Sequence, residues 1–327
     1  MAIYKHTDSE IICPPINRFQ EDVLRGLSAS PKFLQSKYFY DAEGDKLFQQ
    51  IMQSPEYYLT NCELQIFSQQ TADLAHTFLE RYHDFDIIEL GAGDATKSAY
   101  LLQYLKKLGL ECTYFPVDIS KNVIDLLEKE LPEKIPGLTV TGLNGEYFEM
   151  IKAANLLSTK RKVVLFLGSN IGNFTPKEAV NFLSSLQDNL LRGDLVLIGF
   201  DLKKNPKQIL NAYNDKAGIT RQFNLNLLNR INHELNANFK KEQFDHYPTY
   251  NPISGACRSY LISLQEQDVR IGDRTIHFSK HEAVHMELSQ KYTVPETDAM
   301  AIQTGFKTIN YFFDSNGWFL DVVWEKD

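Results

Sequence analysis

The amino-acid sequence predicts an α/β fold built on a doubly wound parallel sheet, with a second α+β portion attached to it. Between about residues 85 and 200, short apolar runs alternate with amphipathic stretches of helical length. Strands that alternate with helices in this way are typical of a parallel sheet with right-handed crossovers. The chain has 327 residues, 43% of them hydrophobic, which suffices for one large core and a smaller companion.

Five apolar runs are predicted as strands of this sheet, which makes the fold Rossmann-like. The first strand, residues 85–90, precedes a helix predicted at 98–108, where leucines and tyrosines share one face. The other strands are predicted at residues 113–117, 138–141, 163–167 and 195–200. Between the last two, Thr175-Pro176-Lys177-Glu178 has the composition of a capped helix start, with Pro in the first turn and Glu three residues after the cap.

The flanking segments have a different pattern. Residues 1–80 and 203–245 are predicted to be mainly helical, whereas 259–264 and 269–278 are predicted as antiparallel strands. A closing hairpin is expected around Asp314-Ser315-Asn316-Gly317. We therefore predict one domain at residues 64–200 plus 288–327 and a second domain at residues 8–63 plus 201–287.

Charge and composition exclude several classes of function. The formal net charge is -8, and a negative surface disfavours binding to nucleic acid. No segment resembles a signal peptide or a membrane span, so we expect a cytoplasmic protein without membrane insertion. The four cysteines form no CxxC pair, and His281 and His285 have no third ligand in view, so no metal site is predicted.

The strongest motif follows the first predicted strand, in Glu89-Leu90-Gly91-Ala92-Gly93-Asp94. Two glycines one residue apart allow a tight turn and a close approach of a ligand at the carboxyl edge of the sheet. Asp118 ends the next strand, where a carboxylate can accept the hydroxyls of a ribose. The third glycine of a dinucleotide fingerprint is missing, which favours S-adenosylmethionine over NAD. The pair of glycines alone is also compatible with a purely structural turn.

A second polar segment, Gly168-Ser169-Asn170-Ile171-Gly172-Asn173, follows the strand predicted at residues 163–167. In an open α/β sheet this loop faces the ligand crevice, and its amides can hold a small polar ligand without adding charge. The alternative is an Asx-type turn that leads into the helix capped by Thr175.

Together these motifs resemble the histidine-specific methyltransferase family, whose defining member methylates the α-amino group of histidine in ergothioneine biosynthesis. Several blocks occur in the family's order and span about residues 30 to 325. The matching blocks are Lys37-Tyr38-Phe39-Tyr40-Asp41, Pro55-Glu56-Tyr57-Tyr58, residues 89–97, Pro116-Val117-Asp118-Ile119-Ser120, residues 168–173, Ala212-Tyr213-Asn214-Asp215-Lys216-Ala217-Gly218, Phe223-Asn224 and Glu287-Leu288-Ser289-Gln290-Lys291-Tyr292.

The resemblance implies a class I methyltransferase domain that binds S-adenosylmethionine and a second domain that binds the substrate. The residues expected at the cofactor are Gly91, Gly93, Lys97, Asp118, Glu146 and Tyr147. Within this set Asp118 would bind the ribose, and Glu146-Tyr147 would flank the adenine. The family more often has Asp-Phe than Glu-Tyr at that pair, so the sequence departs from the pattern there.

The resemblance also implies roles for residues that bind the amino acid. Asn173 and Tyr213 would hold its amino and carboxylate groups, and Tyr57 would line the side-chain pocket. Glu287 and Ser289 would bind the imidazole. Being two residues apart, they would project to one face of a strand and present a carboxylate and a hydroxyl together, although Glu-x-Ser also occurs on solvated strands.

One departure concerns the side-chain pocket. Ser259 stands where a member of the family carries a methionine beside the imidazole, so a larger pocket is expected and strict histidine selectivity is open. A tryptophan-like amino acid is therefore the first alternative substrate. Two other classes of function remain. A non-catalytic regulator that binds S-adenosylmethionine conflicts with the presence of the residues expected to bind the amino acid. A nicotinamide oxidoreductase conflicts with the missing third glycine.

Catalysis is assigned to Tyr40 and Asn173. The attacking amine must be neutral, and a phenol and an amide can orient its N–H bonds without stabilising an ammonium. Core packing is the alternative role for the aromatic residues Tyr38, Tyr40, Tyr57 and Tyr58. The product expected is the trimethylated betaine hercynine, the partner a small amino acid, and the oligomeric state a monomer.

Overall fold

A computed structural model describes residues 16–327 of the chain, with the side chains described from residue 18 onward. Its α-helices are α1 (Ile16–Leu27), α2 (Ala42–Gln53), α3 (Tyr58–Gln69), α4 (Thr71–Leu79), α5 (Ser98–Lys107), α6 (Lys121–Lys134), α7 (Tyr147–Leu157), α8 (Pro176–Asp188), α9 (Pro206–Ala212), α10 (Ile219–Leu235) and α11 (Val294–Gln303). Short 3₁₀ helices occupy Ser36–Phe39, Asn170–Asn173 and Lys241–Gln243.

The strands form one large sheet and two smaller ones. They are β1 (Lys32–Phe33), β2 (Phe85–Leu90), β3 (Thr113–Asp118), β4 (Thr139–Val140), β5 (Leu143–Asn144), β6 (Arg161–Phe166), β7 (Leu195–Asp201), β8 (Phe244–Tyr250), β9 (Ala256–Ser263), β10 (Gln267–Ile271), β11 (Arg274–Phe278), β12 (Ala283–Gln290), β13 (Phe306–Phe313) and β14 (Phe319–Lys326). The four-stranded sheet has the order β1-β12-β9-β8, and β10 pairs with β11 as a hairpin.

The large sheet has eight strands in the order β13-β14-β7-β6-β2-β3-β4, with β5 also pairing with β3. Six strands, β7, β6, β2, β3, β4 and β5, run parallel to one another. The hairpin β13-β14 adds two antiparallel strands beside β7. β2 and β7 are buried along their whole length, as expected for parallel strands covered on both faces. This is the predicted α/β fold. The chain adds β3 and β4 on one side of β2 and then β6 and β7 on the other side, so the direction in which strands are added reverses between β2 and β6.

The predicted elements of the large sheet are confirmed with small changes at their ends. β2 has the predicted bounds, and the helix predicted at 98–108 is α5, one residue shorter. Thr175 caps α8 through a reciprocal hydrogen-bond pair with Glu178, and Pro176 is the first helical residue. The same capping arrangement, formed by Thr293 and Glu296, begins α11, a helix that the sequence pattern did not predict.

The described chain separates into two compact units. One consists of residues 16–51 with Tyr213–Thr249 and Arg258–Glu287, and the other of Met52–Ala212 with Tyr250–Cys257 and Leu288–Asp327. Compared with the expected domains, residues 52–63, 201–212 and 250–257 fall with the large sheet rather than with the second domain. Residues 8–15 of the expected second domain, and Cys13, lie outside the described residues. The assignment of cofactor and substrate to separate domains stays a prediction.

Aromatic side chains fill the core of the sheet unit. Phe166 stacks on Phe182, and Phe200 packs against Trp324 from the antiparallel hairpin. Cys62, Cys112 and Cys257 are buried free thiols. None of the helices in residues 16–327 has the length and apolar character needed to cross a lipid bilayer.

Candidate functional site

The turn after β2 requires glycine at two positions. Gly91 and Gly93 have φ angles of +72° and +53°, in the left-handed region where a Cβ is unfavourable. The amides of Gly91 and Ala92 donate to the carbonyl of Val117 at 2.8 and 3.2 Å, which ties the turn to the end of β3. A Cβ at Gly93 would meet no atom within 4 Å. The turn is therefore open on that side, as a loop that approaches a ligand must be.

Asp118 lies beside this turn at the end of β3. Its carboxylate accepts a hydrogen bond from the amide of Ser120 at 2.9 Å and a longer one from the amide of Gly93 at 3.4 Å. Burial raises the pKa of Asp118, and these backbone donors only partly oppose the increase. The side chain remains partly exposed, so the carboxylate can accept hydroxyl donors from a ligand. This arrangement fits the ribose of a bound nucleoside.

Glu146 and Tyr147 lie at the start of α7. Glu146 is exposed, whereas the ring of Tyr147 packs edge-on against Phe166 and Phe182 at centroid distances of 6.0 and 6.2 Å. The Tyr147 hydroxyl would be 3.1 Å from a Cβ at Gly91. Burial, with smaller contributions from Asp118 and Glu146, raises the Tyr147 pKa to about 12. The phenol therefore stays protonated next to the glycine turn.

Lys97, predicted at the cofactor, points into the sheet unit. Its ammonium forms an ion pair with Glu63 on α3, a residue with only 1% of its side chain exposed. Burial alone would lower the Lys97 pKa, but the Glu63 carboxylate outweighs it and the pKa is raised. Glu63 also accepts the amide of Gly168 at 2.8 Å. One carboxylate thus links the helix after the glycine turn to the loop after β6, a role that the sequence analysis did not assign to Glu63.

The loop after β6 contains Asn173 in its short 3₁₀ helix. Ser169 adopts a left-handed conformation with φ +55° and its hydroxyl accepts the amide of Asp201 at 3.1 Å. Gly172 packs so closely on the backbone of Gln290 that a Cβ would lie 2.8 Å from the Gln290 carbonyl oxygen. Asn173 itself is exposed. Within the sheet unit, this packing brings the loop of Asn173 close to the end of β12.

Ser289, near that end of β12, belongs to a buried charged group. Its Oγ accepts a hydrogen bond from Lys291 Nζ at 2.8 Å, and Lys291 Nζ lies 2.6 Å from Asp201 Oδ2. The Tyr58 hydroxyl donates to Asp201 at 2.8 Å, and Lys204 pairs with the same carboxylate. Burial lowers the Lys204 pKa, and Asp201 only partly opposes this.

Sequence reasoning missed Asp201, Lys204 and Lys291, although a signal was present. A charged residue ends the otherwise apolar strand β7, and Lys291 lies within the block that carries the family resemblance. Charged residues that are fully buried need partners, so their occurrence in apolar runs indicates a buried network.

The remaining predicted substrate residues are divided between the units. Tyr40, Tyr213 and Glu287 belong to the unit without the large sheet, and Tyr57 immediately precedes α3 in the sheet unit. The ring of Tyr40 packs edge-on against Phe48 and Phe223 at 5.5 and 5.7 Å and is 45% exposed. Tyr213 is buried, and Glu287 is half-buried on β12.

Ser259 has a histidine beside it. Its hydroxyl lies 3.2 Å from His246 Nε2, and both side chains are buried. Burial lowers the pKa of His246 to about 4, so the ring is neutral at physiological pH.

The described residues contain no group of three His, Cys, Asp or Glu side chains able to hold a metal ion. His285 is half-buried, with its ring against that of Tyr260 at a centroid distance of 5.5 Å. On β12 its register partner in the parallel pairing with β1 is Phe33.

Comparison with known proteins agrees with this geometry. Residues 19–326 match the family described as "Histidine-specific methyltransferase, SAM-dependent". The histidine N-alpha-methyltransferase of Mycolicibacterium smegmatis is 33% identical over 300 residues, which cover 91% of this chain and 92% of the relative. The ergothioneine biosynthesis protein 1 of Neurospora crassa is 29% identical over 90% of this chain and 33% of its own length.

A relative with a different substrate is also similar. The 4-dimethylallyltryptophan N-methyltransferase of Claviceps fusiformis is 26% identical over 87% of this chain and 85% of its own length. The match to the family covers nearly the whole chain, and the parallel sheet, the glycine turn and Asp118 fit its cofactor. The chain belongs to the histidine-specific, S-adenosylmethionine-dependent methyltransferase family and is a methyltransferase.

Proposed function

We propose that this enzyme transfers methyl groups from S-adenosylmethionine to the α-amino group of free L-histidine and that the product is the trimethylated betaine hercynine. The observation that carries the proposal is the pair Glu287 and Ser289 on β12. A neutral imidazole offers an N–H to the carboxylate and a bare ring nitrogen to the hydroxyl. An apolar side chain would offer no N–H to the half-buried carboxylate of Glu287 and no acceptor to Ser289, and such mismatches give strong selectivity.

Each of the residues predicted at the cofactor would contact a different part of S-adenosylmethionine. Gly91 and Gly93 would let the backbone approach it, Asp118 would accept the ribose hydroxyls, and Glu146 with Tyr147 would flank the adenine. Lys97 would act at the cofactor while paired with Glu63. When bound, S-adenosylmethionine supplies an electrophilic methyl group on a sulfonium. Nothing in the transfer requires a metal ion or a covalent intermediate on the protein.

The protein's own task is to orient a neutral amine. We assign this to Tyr40 and Asn173, with Tyr213 holding the carboxylate and Tyr57 lining the side-chain pocket. A phenol and an amide can accept N–H bonds from the amine while leaving its lone pair directed at the methyl carbon. Both groups are uncharged, so they do not favour the unreactive ammonium form. We also expect a monomer located in the cytoplasm.

The test is calorimetric titration with histidine, tryptophan and leucine in the presence of S-adenosylhomocysteine, followed by mass spectrometry of turnover products. We expect histidine alone to bind and a trimethylated product to accumulate. Glu287→Gln should weaken histidine binding roughly 10- to 100-fold, the usual loss for a hydrogen bond to a charged group. Glu282→Gln is the control, because Glu282 pairs with Lys32 at 2.7 Å and has no assigned role.

Two results would contradict the proposal. Accumulation of a monomethyl product alone would exclude hercynine, and equal effects of the two glutamate variants would remove Glu287 from the imidazole pocket.

The second candidate is the same reaction on a tryptophan-like amino acid. The similarity to the Claviceps enzyme and the serine at position 259 favour it. The pair Glu287 and Ser289 speaks against it, because an indole can donate its one N–H to the carboxylate but offers no ring nitrogen acceptor to the hydroxyl. Binding of tryptophan in place of histidine in the same titration would decide for this candidate.

A further inference from the structure

Two polar side chains of the sheet unit converge on the glycine turn after β2. A Cβ at Gly91 would lie 3.1 Å from the Tyr147 hydroxyl oxygen and 3.5 Å from Asn170 Nδ2. Tyr147 is the first residue of α7, and Asn170 follows β6, so the two groups come from separate elements of the same unit. The absence of a Cβ at Gly91 leaves the space in which both polar groups meet.

These two groups have no partner within the part of the chain that the structure describes. Neither the Tyr147 hydroxyl nor the Asn170 side-chain amide forms a hydrogen bond with residues 18–327, and both side chains are partly exposed. The amides of Gly91 and Ala92 are already bonded to the Val117 carbonyl. A ligand at this point would therefore meet two side-chain groups that can bond to it.

The two groups would act as uncharged donors. Burial raises the pKa of Tyr147 to about 12, so the phenol keeps its proton, and an asparagine side chain donates through Nδ2. The Tyr147 ring packs edge-on against Phe166 and Phe182, which restrains the position of its oxygen. Two convergent donors suit a carboxylate, which only accepts hydrogen bonds.

The order of the strands indicates which part of the cofactor would lie there. The strands follow the order β6-β2-β3, with β5 also beside β3. In the proposed site the ribose is at Asp118, which ends β3, and the adenine is at the start of α7, which follows β5. The amino-acid end of an extended S-adenosylmethionine would then fall at the ends of β2 and β6, where Gly91 and Asn170 lie. That end carries a carboxylate.

We propose that the Tyr147 hydroxyl and the Asn170 amide bind the carboxylate of the cofactor's amino-acid end. The inference rests on the proposed cofactor site, in which Asp118 binds the ribose. It gives Tyr147 a role beyond flanking the adenine. The family more often has a phenylalanine at this position, which offers no hydroxyl, so the contact would be an addition in this chain.

The charges near the turn make neutral donors important. Burial first, and then the carboxylates of Asp118 and Glu146, raise the pKa of the phenol, so these negative charges would also oppose a carboxylate at Gly91. Lys97, the cation predicted at the cofactor, is paired with Glu63. Charge-assisted hydrogen bonds from the two neutral side chains would offset the repulsion.

The experiment measures by calorimetry the binding of S-adenosylhomocysteine and of decarboxylated S-adenosylhomocysteine. The two ligands differ only in the carboxylate, so a contact with that group affects the first ligand alone. The variants are Tyr147→Phe and Asn170→Ala. Tyr104→Phe is the matched control, because Tyr104 lies in the same unit, packs its ring against His76 at 6.4 Å and has no assigned role.

We expect Tyr147→Phe and Asn170→Ala each to raise the dissociation constant of S-adenosylhomocysteine about tenfold, the usual loss for a hydrogen bond to a charged group. The dissociation constant of the decarboxylated ligand should change by less than about twofold. Tyr104→Phe should bind both ligands like the wild type. Tyr147→Phe removes one oxygen atom and introduces the residue more common in the family, so the variant should fold.

Equal weakening of both ligands in the two variants would overturn the inference, because the side chains would then support the turn without contacting the carboxylate. Unchanged binding of S-adenosylhomocysteine would overturn it as well. Absence of S-adenosylhomocysteine binding in the wild type would instead contradict the proposed cofactor site.

Discussion

Two aspartates on neighbouring strands of the large sheet are buried in opposite ways. Asp201 on β7 and Asp321 on β14 are both 0% exposed, and the register pairs Phe319 with Asp201 and Asp321 with Gly199. The two side chains therefore project to the same face of the sheet. Helix α3 faces both, with Tyr58 donating to Asp201 and Glu63 lying next to Asp321.

The charges around the two aspartates differ. Asp201 is paired with two lysines, so its negative charge is compensated. Asp321 faces a second carboxylate, and burial together with Glu63 raises its pKa well above the usual value, with Lys97 opposing only in part. Two lysines thus balance the charge of Asp201, whereas burial and a neighbouring carboxylate favour the protonated form of Asp321. Burial of a carboxylate does not by itself tell which form is present; the neighbours decide it.

The largest effect that distinguishes the two sites is expected for Asp201→Asn. The substitution keeps the shape of the side chain but leaves Lys204 and Lys291 buried without their carboxylate. Removing one partner of a buried ion pair costs about 3–5 kcal/mol. The free energy of unfolding, measured in urea, should fall by that amount. A loss below about 1 kcal/mol would show that the two lysines are not charged in the native state.

The next effect concerns pH and Glu89, which lies under the glycine turn and accepts the Tyr114 hydroxyl at 2.5 Å. Burial raises the pKa of Glu89 from 4.5 to about 7. The native state then binds more protons than the unfolded state between these values, so the contribution of Glu89 to stability is complete below about pH 4.5 and is lost as the pH rises to about 7.

In Glu89→Gln this loss should be absent. Relative to the wild type, the variant should become more stable by on the order of 3 kcal/mol as the pH rises from about 4.5 to about 7. Urea unfolding of both proteins across this range measures the difference. Parallel pH profiles would mean that Glu89 is ionised in the native state.

The sequence predicted the strands better than the charges between them. β7 is an apolar run up to Asp201, and its burial on both faces follows from local pattern alone. β2 is mainly apolar, but its buried Asp86 and Glu89 do not follow from that pattern. The glycine turn and Asp118 were also predictable, because both lie at ends of consecutive strands. The ion group of Asp201 was not, since residues 58, 201 and 291 are far apart in the sequence and belong to different elements that meet only in the folded chain.

Helix α11 shows a different limit. Thr293 and Glu296 form the same capping pair as Thr175 and Glu178, yet only Thr297, Met300 and Ala301 of its 10 residues are buried. A capping signature predicts a helix start, but the apolar face that would have identified the helix is short.

The smallest effect is expected for Asp321→Asn, the counterpart of Asp201→Asn on the neighbouring strand. A protonated aspartic acid and an asparagine have nearly the same shape and no charge, so the exchange should change the free energy of unfolding by no more than about 1 kcal/mol at neutral pH, the size of one ordinary hydrogen bond. Above the raised pKa of Asp321 the wild type must bury a second negative charge beside Glu63, and there the variant should be the more stable protein. Urea unfolding of both aspartate variants under identical conditions gives the comparison. If both substitutions cost the same, the opposite charge environments would have no energetic consequence, and Asp321 would have to be an ion like Asp201.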